Sequence, residues 1–306
     1  MGVSVFMIVI EILIFLLYSF VLFIIIQSKA KLFKIAFYTI FVATGIADIA
    51  SLFSGSSIRL TRELNLGEDS KDFALLCFMT TYTAFIAHLI GNVLITINRY
   101  SALCLINRYN VIWTRKYTWV AVIIQYVISF AVIAHVARAH IEYVHSADGT
   151  ASVKGIQEKQ IDMIVRYTYI VACIIYATTS LTLNVRLLVE WKRLSKFDGV
   201  LKNSHHDKGL VIYAVLVFIA SMLVCLQQFV KAIAVLTDNT SLNLWVTTLY
   251  SWMNDFMVSI PPVSLIVLST DFRQEVINFF RCARHQSSVS LFVTQPRSRR
   301  SIVDRF

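Results

Sequence analysis

Counted back from Arg99 in helical steps, Asn92, His88, Phe85 and Thr81 follow at intervals of 7, 4, 3 and 4 and share one helix face. The segment that carries them, about Phe73–Asn98, is otherwise apolar. A polar face in such a segment has two uses: it hydrogen-bonds neighbouring helices, or it lines an aqueous cavity. Both readings stand for His88 and Asn92. Thr81, Tyr82 and Phe85, nearer the other end, are the candidates for contact with a small molecule. Ser221, Cys225, Gln228 and Lys231 repeat the pattern in a second segment, Thr44, Asp48 and Ser51 in a third, and Tyr250, Asn254 and Asp255 in a fourth. Gln228, Lys231 and Tyr250 therefore join the ligand candidates. Asp48 and Asp255 could pair with each other, bind a cation, or share the Asn254 amide. For Asp48, a buried network that fixes packing and a role in switching are equally good readings.

No enzyme chemistry assembles from these types. His135 and His140 are five apart, not the four of a metal-binding helix face, and no Glu-flanked His pair exists. A Gly-rich phosphate loop and a Ser nucleophile elbow are absent, and the 9 glycines are scattered. The five cysteines, Cys77, Cys104, Cys173, Cys225 and Cys282, have no metal-ligand spacing. Neither a metal nor any other cofactor is expected, and the chain is not read as an enzyme.

The elements that must position these residues are membrane spans. Of the 306 residues, 57% are apolar and only 15% charged, whereas a soluble domain carries roughly a quarter of its residues as Asp, Glu, Lys and Arg. A helix needs about 20 mostly apolar residues to cross a hydrocarbon layer of about 30 Å. Seven stretches qualify, at about Val3–Ile26, Ile35–Ile58, Phe73–Asn98, Trp119–Ala137, Asp162–Val185, Gly209–Leu236 and Leu244–Thr270. Pro261 and Pro262 interrupt the last, where they remove backbone donors and kink it. The expected fold is an all-α, seven-helix transmembrane bundle over residues 1–270. A short membrane-surface helix over 271–285, capped by Asp271, and a disordered tail over 286–306 complete the chain.

Charge gives the orientation independently, since Lys and Arg in short loops stay on the cytoplasmic side. The net charge of +10 sits in such loops, which argues against a nucleic-acid partner. Lys29, Lys31 and Lys34, then Arg99, Arg108, Arg115 and Lys116, then Arg186, Lys192, Arg193, Lys196, Lys202 and Lys208 fall on one side with the basic tail. The other side holds Arg59, Arg62, Lys71, Arg138, Lys154 and Lys159 among many acids. Met1 is thus expected outside and Phe306 inside. Asn239, in the sequon Asn239-Thr240-Ser241, falls on the outer side as a glycosylation candidate. Cys282, just after the surface helix, is a palmitoylation candidate. Membrane lipids are the expected partner of the inner basic loops.

Seven spans, an outside amino terminus and Asn98-Arg99-Tyr100 at the inner end of the third span resemble the G-protein-coupled receptor superfamily. The run Asn98-Arg-Tyr-Ser-Ala-Leu-Cys-Leu-Ile-Asn-Arg-Tyr-Asn-Val-Ile-Trp113 is similar to nematode serpentine chemoreceptors of class gamma, class V and their relatives. The resemblance implies that Arg99 contacts a heterotrimeric G protein in the active state, with Asn98, Tyr100, Arg108, Lys192 and Arg193 around it. It also implies that Asp48 is the second-span acid of the superfamily, and that Asp48, Asn254 and Asp255 take part in switching. The chain departs from the superfamily pattern in several places. Asn98 stands where an acid usually locks the arginine, Cys77 has no cysteine opposite it in the second outer loop, and Asn-Pro-x-x-Tyr is missing from span seven. The implied function is detection of an external small molecule at the plasma membrane, in sensory cilia for such receptors. The competing class is a polytopic transporter or channel that uses Glu11, Asp48, Asp255 and Lys231 as ion sites.

Overall fold

A computed structural model describes residues 2–28, 30–64, 70–145, 151–195, 205–237 and 239–293. The helices are α1 (Gly2–Gln27), α2 (Ala36–Glu63), α3 (Lys71–Cys104), α4 (Ile106–Ile112), α5 (Arg115–Ile133), α6 (Lys159–Ser195), α7 (His205–Leu236), α8 (Thr240–Leu268) and α9 (Thr270–Val293). Among the described residues seven helices are long and apolar enough to span a membrane: α1, α2, α3, α5, α6, α7 and α8. They match the seven expected stretches, and the protein is a seven-helix transmembrane bundle.

Two kinds of surface follow from the absence of water around most of each helix. Ile123, Ile124, Val127 and Phe130 on α5 point away from the protein, as do Phe6, Leu13 and Leu16 on α1. Exposed apolar surface on this scale is a lipid face. Between the helices lies one core, in which Tyr18, Val21, Ile24, Phe37, Phe41, Phe85, Val224 and Val258 are buried. Lipid tails are as apolar as the core, so helix association rests on close packing and on hydrogen bonds. Gly91 of α3 supplies the close packing: a Cβ there would lie 2.0 Å from Thr44 Oγ1 and 2.8 Å from Gln125 Nε2. The hydrogen bonds come from α5. Gln125 Nε2 donates to the Ala87 carbonyl at 2.8 Å, and Tyr126 Oη donates to the Ala43 carbonyl at 2.6 Å.

The structure extends or revises several sequence readings. Helices α3 and α6 run past the apolar stretches that announced them, α6 by about ten residues at its carboxyl end. The connection after α5 is not plain loop: β1 (Ile141–His145) and β2 (Ala151–Ile156) form an antiparallel hairpin with an irregularity at Glu142/Tyr143. His140 and Glu158 close its base, where the His140 amide donates to Glu158 Oε2 at 2.9 Å and Nδ1 meets Oε1 at 2.5 Å. Those bonds from His140 hold the Glu158 carboxyl below its usual pKa.

At the start of α9 the cap is Ser269, whose Oγ accepts from the Phe272 amide at 3.2 Å, with Asp271 in the first turn. Asp271 was the expected cap; the hydroxyl one residue before the helix reaches the free amides instead. Phe279 and Phe280 of α9 pack on Phe23 and Phe20 of α1, which seats this helix against the bundle. It continues to Val293, beyond the boundary expected at 285. The rest of the expected disordered tail, 294–306, and the side chain of Cys282 lie outside the described residues.

Candidate ligand cavity, polar centre and coupling arginine

Three layers of polar structure run down the bundle axis. At the hairpin end a cavity of about 240 Å³ opens between α2, α3, α6, α7 and α8. Thr81, Tyr82, Gln228, Lys231 and Tyr250, five of the six ligand candidates, line it, and so do Asn254 and Asp255. Phe85 does not. It is buried behind the wall and supports Tyr169, whose ring centroid is 4.8 Å away. Tyr169 in turn meets Tyr82 edge-on at 5.6 Å, and Tyr82 meets Phe78 at 5.7 Å, so one side of the cavity is aromatic.

The other side is ionic, and the sequence reading missed most of it. Arg59 of α2 lines the cavity and pairs with Glu11 of α1, a carboxylate that is almost wholly buried and that also accepts from Ser56 Oγ at 2.6 Å. On α6, Arg166 grips Asp162 with two bonds, Nε to Oδ2 at 2.8 Å and Nη2 to Oδ1 at 3.0 Å. The face that carries Arg59 and the Asp162–Arg166 pair have a sequence signal, though the Arg59–Glu11 pairing has none. Ser51, Gly55 and Arg59 recur every four residues on the face that continues from Asp48, and Asp162 stands four before Arg166. The apolar run ends at Ile58, which puts Arg59 among the loop charges by sequence alone.

One turn deeper than Ser51, the Asp48 carboxylate is buried at the centre of the bundle. Tyr18 of α1 donates to Oδ2 at 2.9 Å, and His88 Nδ1 of α3 lies 2.6 Å from Oδ1. On the far side of the imidazole, Asn92 Nδ2 is 2.7 Å from Nε2, and Ser221 Oγ of α7 is 3.3 Å from it. Ser221 donates to its own helix, at the Val217 carbonyl. The set is complete for an imidazole with its proton on Nδ1, donating to Asp48 and accepting from Asn92. Four helices meet in this network. Asp48 and Asp255 do not pair: the first is bonded to Tyr18 and His88, the second faces the cavity. Asn254 lines the cavity beside Asp255.

At the opposite end Arg99 is 7% exposed, and its guanidinium carbon sits 3.8 Å from the centroid of the Phe37 ring on α2. The ring face attracts the guanidinium through its quadrupole. Phe37, Phe41 and Tyr213 pack on one another with centroid separations of 5.7 to 6.2 Å. Asn98 Nδ2 donates to Tyr109 Oη of α4 at 3.2 Å, and Trp113 Nε1 donates to Ser101 Oγ at 2.6 Å. These bonds hold the short helix α4 against α3. Arg108, Arg115, Lys116, Lys192 and Arg193 are all exposed around this end, and Tyr100 is half-buried. Asn239 is exposed at the hairpin end, where its Oδ1 accepts from the Leu242 amide and caps α8. Lys196, Lys202 and the side chain of Lys208 lie outside the described residues.

The seven-helix bundle thus has a polar cavity at one end and a shielded arginine at the other. The sequence model of the family described as Serpentine type 7TM GPCR chemoreceptor Srv matches residues 6–282, and the chain belongs to that family. Of the classes the resemblance left open, this is class V. The family is one of receptors rather than enzymes. No curated protein matches the chain.

Proposed function

We propose that this protein is a chemosensory receptor of the plasma membrane that binds an external small molecule in the hairpin-end cavity and signals through a heterotrimeric G protein at the Arg99 end. The charge asymmetry of the loops supports the hairpin end as the extracellular one. The observation that carries the reading is an unbroken line of contacts between the two ends. Ser51 on the cavity wall is one turn from Asp48; Asp48 holds Tyr18; Tyr18 packs on Phe41 at 6.0 Å; and Phe41 packs on Phe37, which covers Arg99. On the α7 side, Gln228 on the wall is two turns from Ser221, which touches His88.

The mechanism is a shift between two bundle arrangements. With Arg99 on Phe37, the arginine is withheld from the surface. A ligand that fits the cavity better when α2, α3 and α7 have moved favours the arrangement in which Arg99 leaves the ring, and it acts only through that difference in affinity. The G protein then meets Arg99, Arg108, Arg115, Lys116, Lys192 and Arg193, while anionic lipids attract the same basic loops in both states. Two of the charges a transporter would use as ion sites are already bonded: Glu11 to Arg59 and Asp48 to Tyr18 and His88.

A fluorescent tail fusion expressed from the native promoter, with calcium imaging of the labelled cells, tests the reading. The expected result is label in the sensory endings of chemosensory neurons and a stimulus response that Arg99→Ala abolishes at equal surface level. Label confined to internal membranes, or an Arg99→Ala receptor that signals normally, contradicts it.

A further inference from the structure

The charges on the cavity wall are unevenly used. Arg59 is held by Glu11 and Arg166 by Asp162, but two groups have no such partner. On Asp255, a residue only 4% exposed, neither carboxylate oxygen makes a well-formed hydrogen bond; the adjacent Asn254 amide and the Arg59 charge act on it from beside it. The Lys231 ammonium makes no hydrogen bond or ion pair among the described residues; the Asp162–Arg166 pair is its nearest charged company. Asp255 and Lys231 form no ion pair with each other, yet both line the same space. Thr81 Oγ1, Tyr169 Oη and Asn243 Oδ1, on the same wall, are likewise buried without partners. Polar atoms left this way are disfavoured relative to atoms bonded to water or to a partner. Four buried side chains of one cavity thus present unbonded polar atoms to whatever fills it, with the Lys231 ammonium beside them.

We infer that the cavity takes a small amphoteric molecule, its cationic group on Asp255 and its anionic group on Lys231, an assignment of ligand class that rests on the receptor reading above. An ionised carboxylate only accepts and an ammonium only donates, so the two ends demand opposite chemistry from one ligand. A simple anion leaves Asp255 bare and brings a second negative charge beside it. A simple cation leaves Lys231 bare and faces Arg59 and Arg166 as well. A neutral apolar molecule satisfies neither. The rings of Phe78, Tyr82 and Tyr169 supply apolar contact for the body of the ligand, and about 240 Å³ admits a metabolite-sized molecule, below the usual range for drug-sized ligands.

The test uses the full-length receptor in lipid nanodiscs and two matched probe series. One is phenylalanine, 2-phenylethylamine and 3-phenylpropanoate; the other is 4-aminobutanoate, butylamine and butanoate. Binding is read from the concentration dependence of thermal unfolding. The expected result is that in at least one series the zwitterion binds tenfold or more tightly than either singly charged relative. Asp255→Asn and Lys231→Gln then remove that preference; should either variant fail to fold, the wild-type series alone decides. Equal binding by a singly charged relative, or no binding by any member of either series, overturns the assignment. Nucleotide exchange on G proteins in the same nanodiscs separates the two ideas. A zwitterion that binds without moving exchange contradicts the receptor reading and leaves the ligand class standing. A singly charged probe that drives exchange does the reverse.

Discussion

His88 Nδ1 lies 2.6 Å from the Asp48 carboxylate, in the middle of the bundle, where both residues are about 1% exposed. The pair ties α2 to α3, and Asn92 and Ser221 extend the tie to α7. A buried carboxylate that loses one of its donors retains the full penalty of desolvation. His88→Ala is therefore expected to destabilise the protein by about 2 to 3 kcal/mol, a hydrogen bond to a charged group. Thermal unfolding in nanodiscs measures it. Asp48→Asn, which removes the buried charge and retains hydrogen-bonding capacity, is expected to lower the unfolding temperature less than His88→Ala does.

Gly91 is another point where α3 meets its neighbours, here without any polar group of its own. A methyl at this position collides with Thr44 Oγ1 and Cγ2, and Thr44 is β-branched and stiff within its helix. Gly91→Ala is expected to destabilise by roughly 1 to 3 kcal/mol, the range for overpacking. The double variant Gly91→Ala with Thr44→Ala recovers part of that loss in the same unfolding assay. Equal unfolding temperatures for Gly91→Ala and wild type would contradict the packing.

The hairpin carries its own pH dependence. Bonds from the His140 amide and ring hold the Glu158 carboxyl below its usual pKa. A group whose folded value is depressed adds stability that is fully present above the ordinary carboxylate range and fades as pH falls through the depressed value. A nitroxide at exposed position 159 (Lys159→Cys) is expected to be restrained at neutral pH and mobile in acid. Glu158→Gln is expected to make it mobile at both. A spectrum that does not change with pH contradicts a stabilising role for the His140–Glu158 bonds.

What the sequence made legible was governed by long repeats of one property. Twenty apolar residues in a row have few alternatives to a spanning helix, so all seven spans were readable, and the face through Thr81, His88, Asn92 and Arg99 follows from a period of 3.6. Short-range contrasts were less readable. The strands Ile141–His145 and Ala151–Ile156 hold only five and six residues and mix apolar with polar types, so they looked like ordinary loop. Spacing also places a residue on a face without deciding its depth, which is why Phe85 was grouped with Thr81 and Tyr82 although it stands behind Tyr169. The pairing of Arg59 with Glu11 joins residues 48 positions apart on different helices, and no local pattern encodes it. Nor did any signal in Asn98-Arg99-Tyr100 point to Phe37 as the group that covers the arginine.

That cover is the most direct route to the central claim, that Arg99 is a coupling residue held shut from its own side of the membrane. A cation over an aromatic face contributes about 1 kcal/mol or more when desolvated, so its removal shifts a two-state equilibrium roughly fivefold. The measurement is basal guanine-nucleotide exchange by G proteins with the purified receptor in nanodiscs, for wild type, Phe37→Leu, Arg99→Ala and the double variant. The account predicts a several-fold higher basal rate for Phe37→Leu and no exchange above background for either variant lacking Arg99. Unchanged exchange in Phe37→Leu together with normal exchange in Arg99→Ala would contradict it.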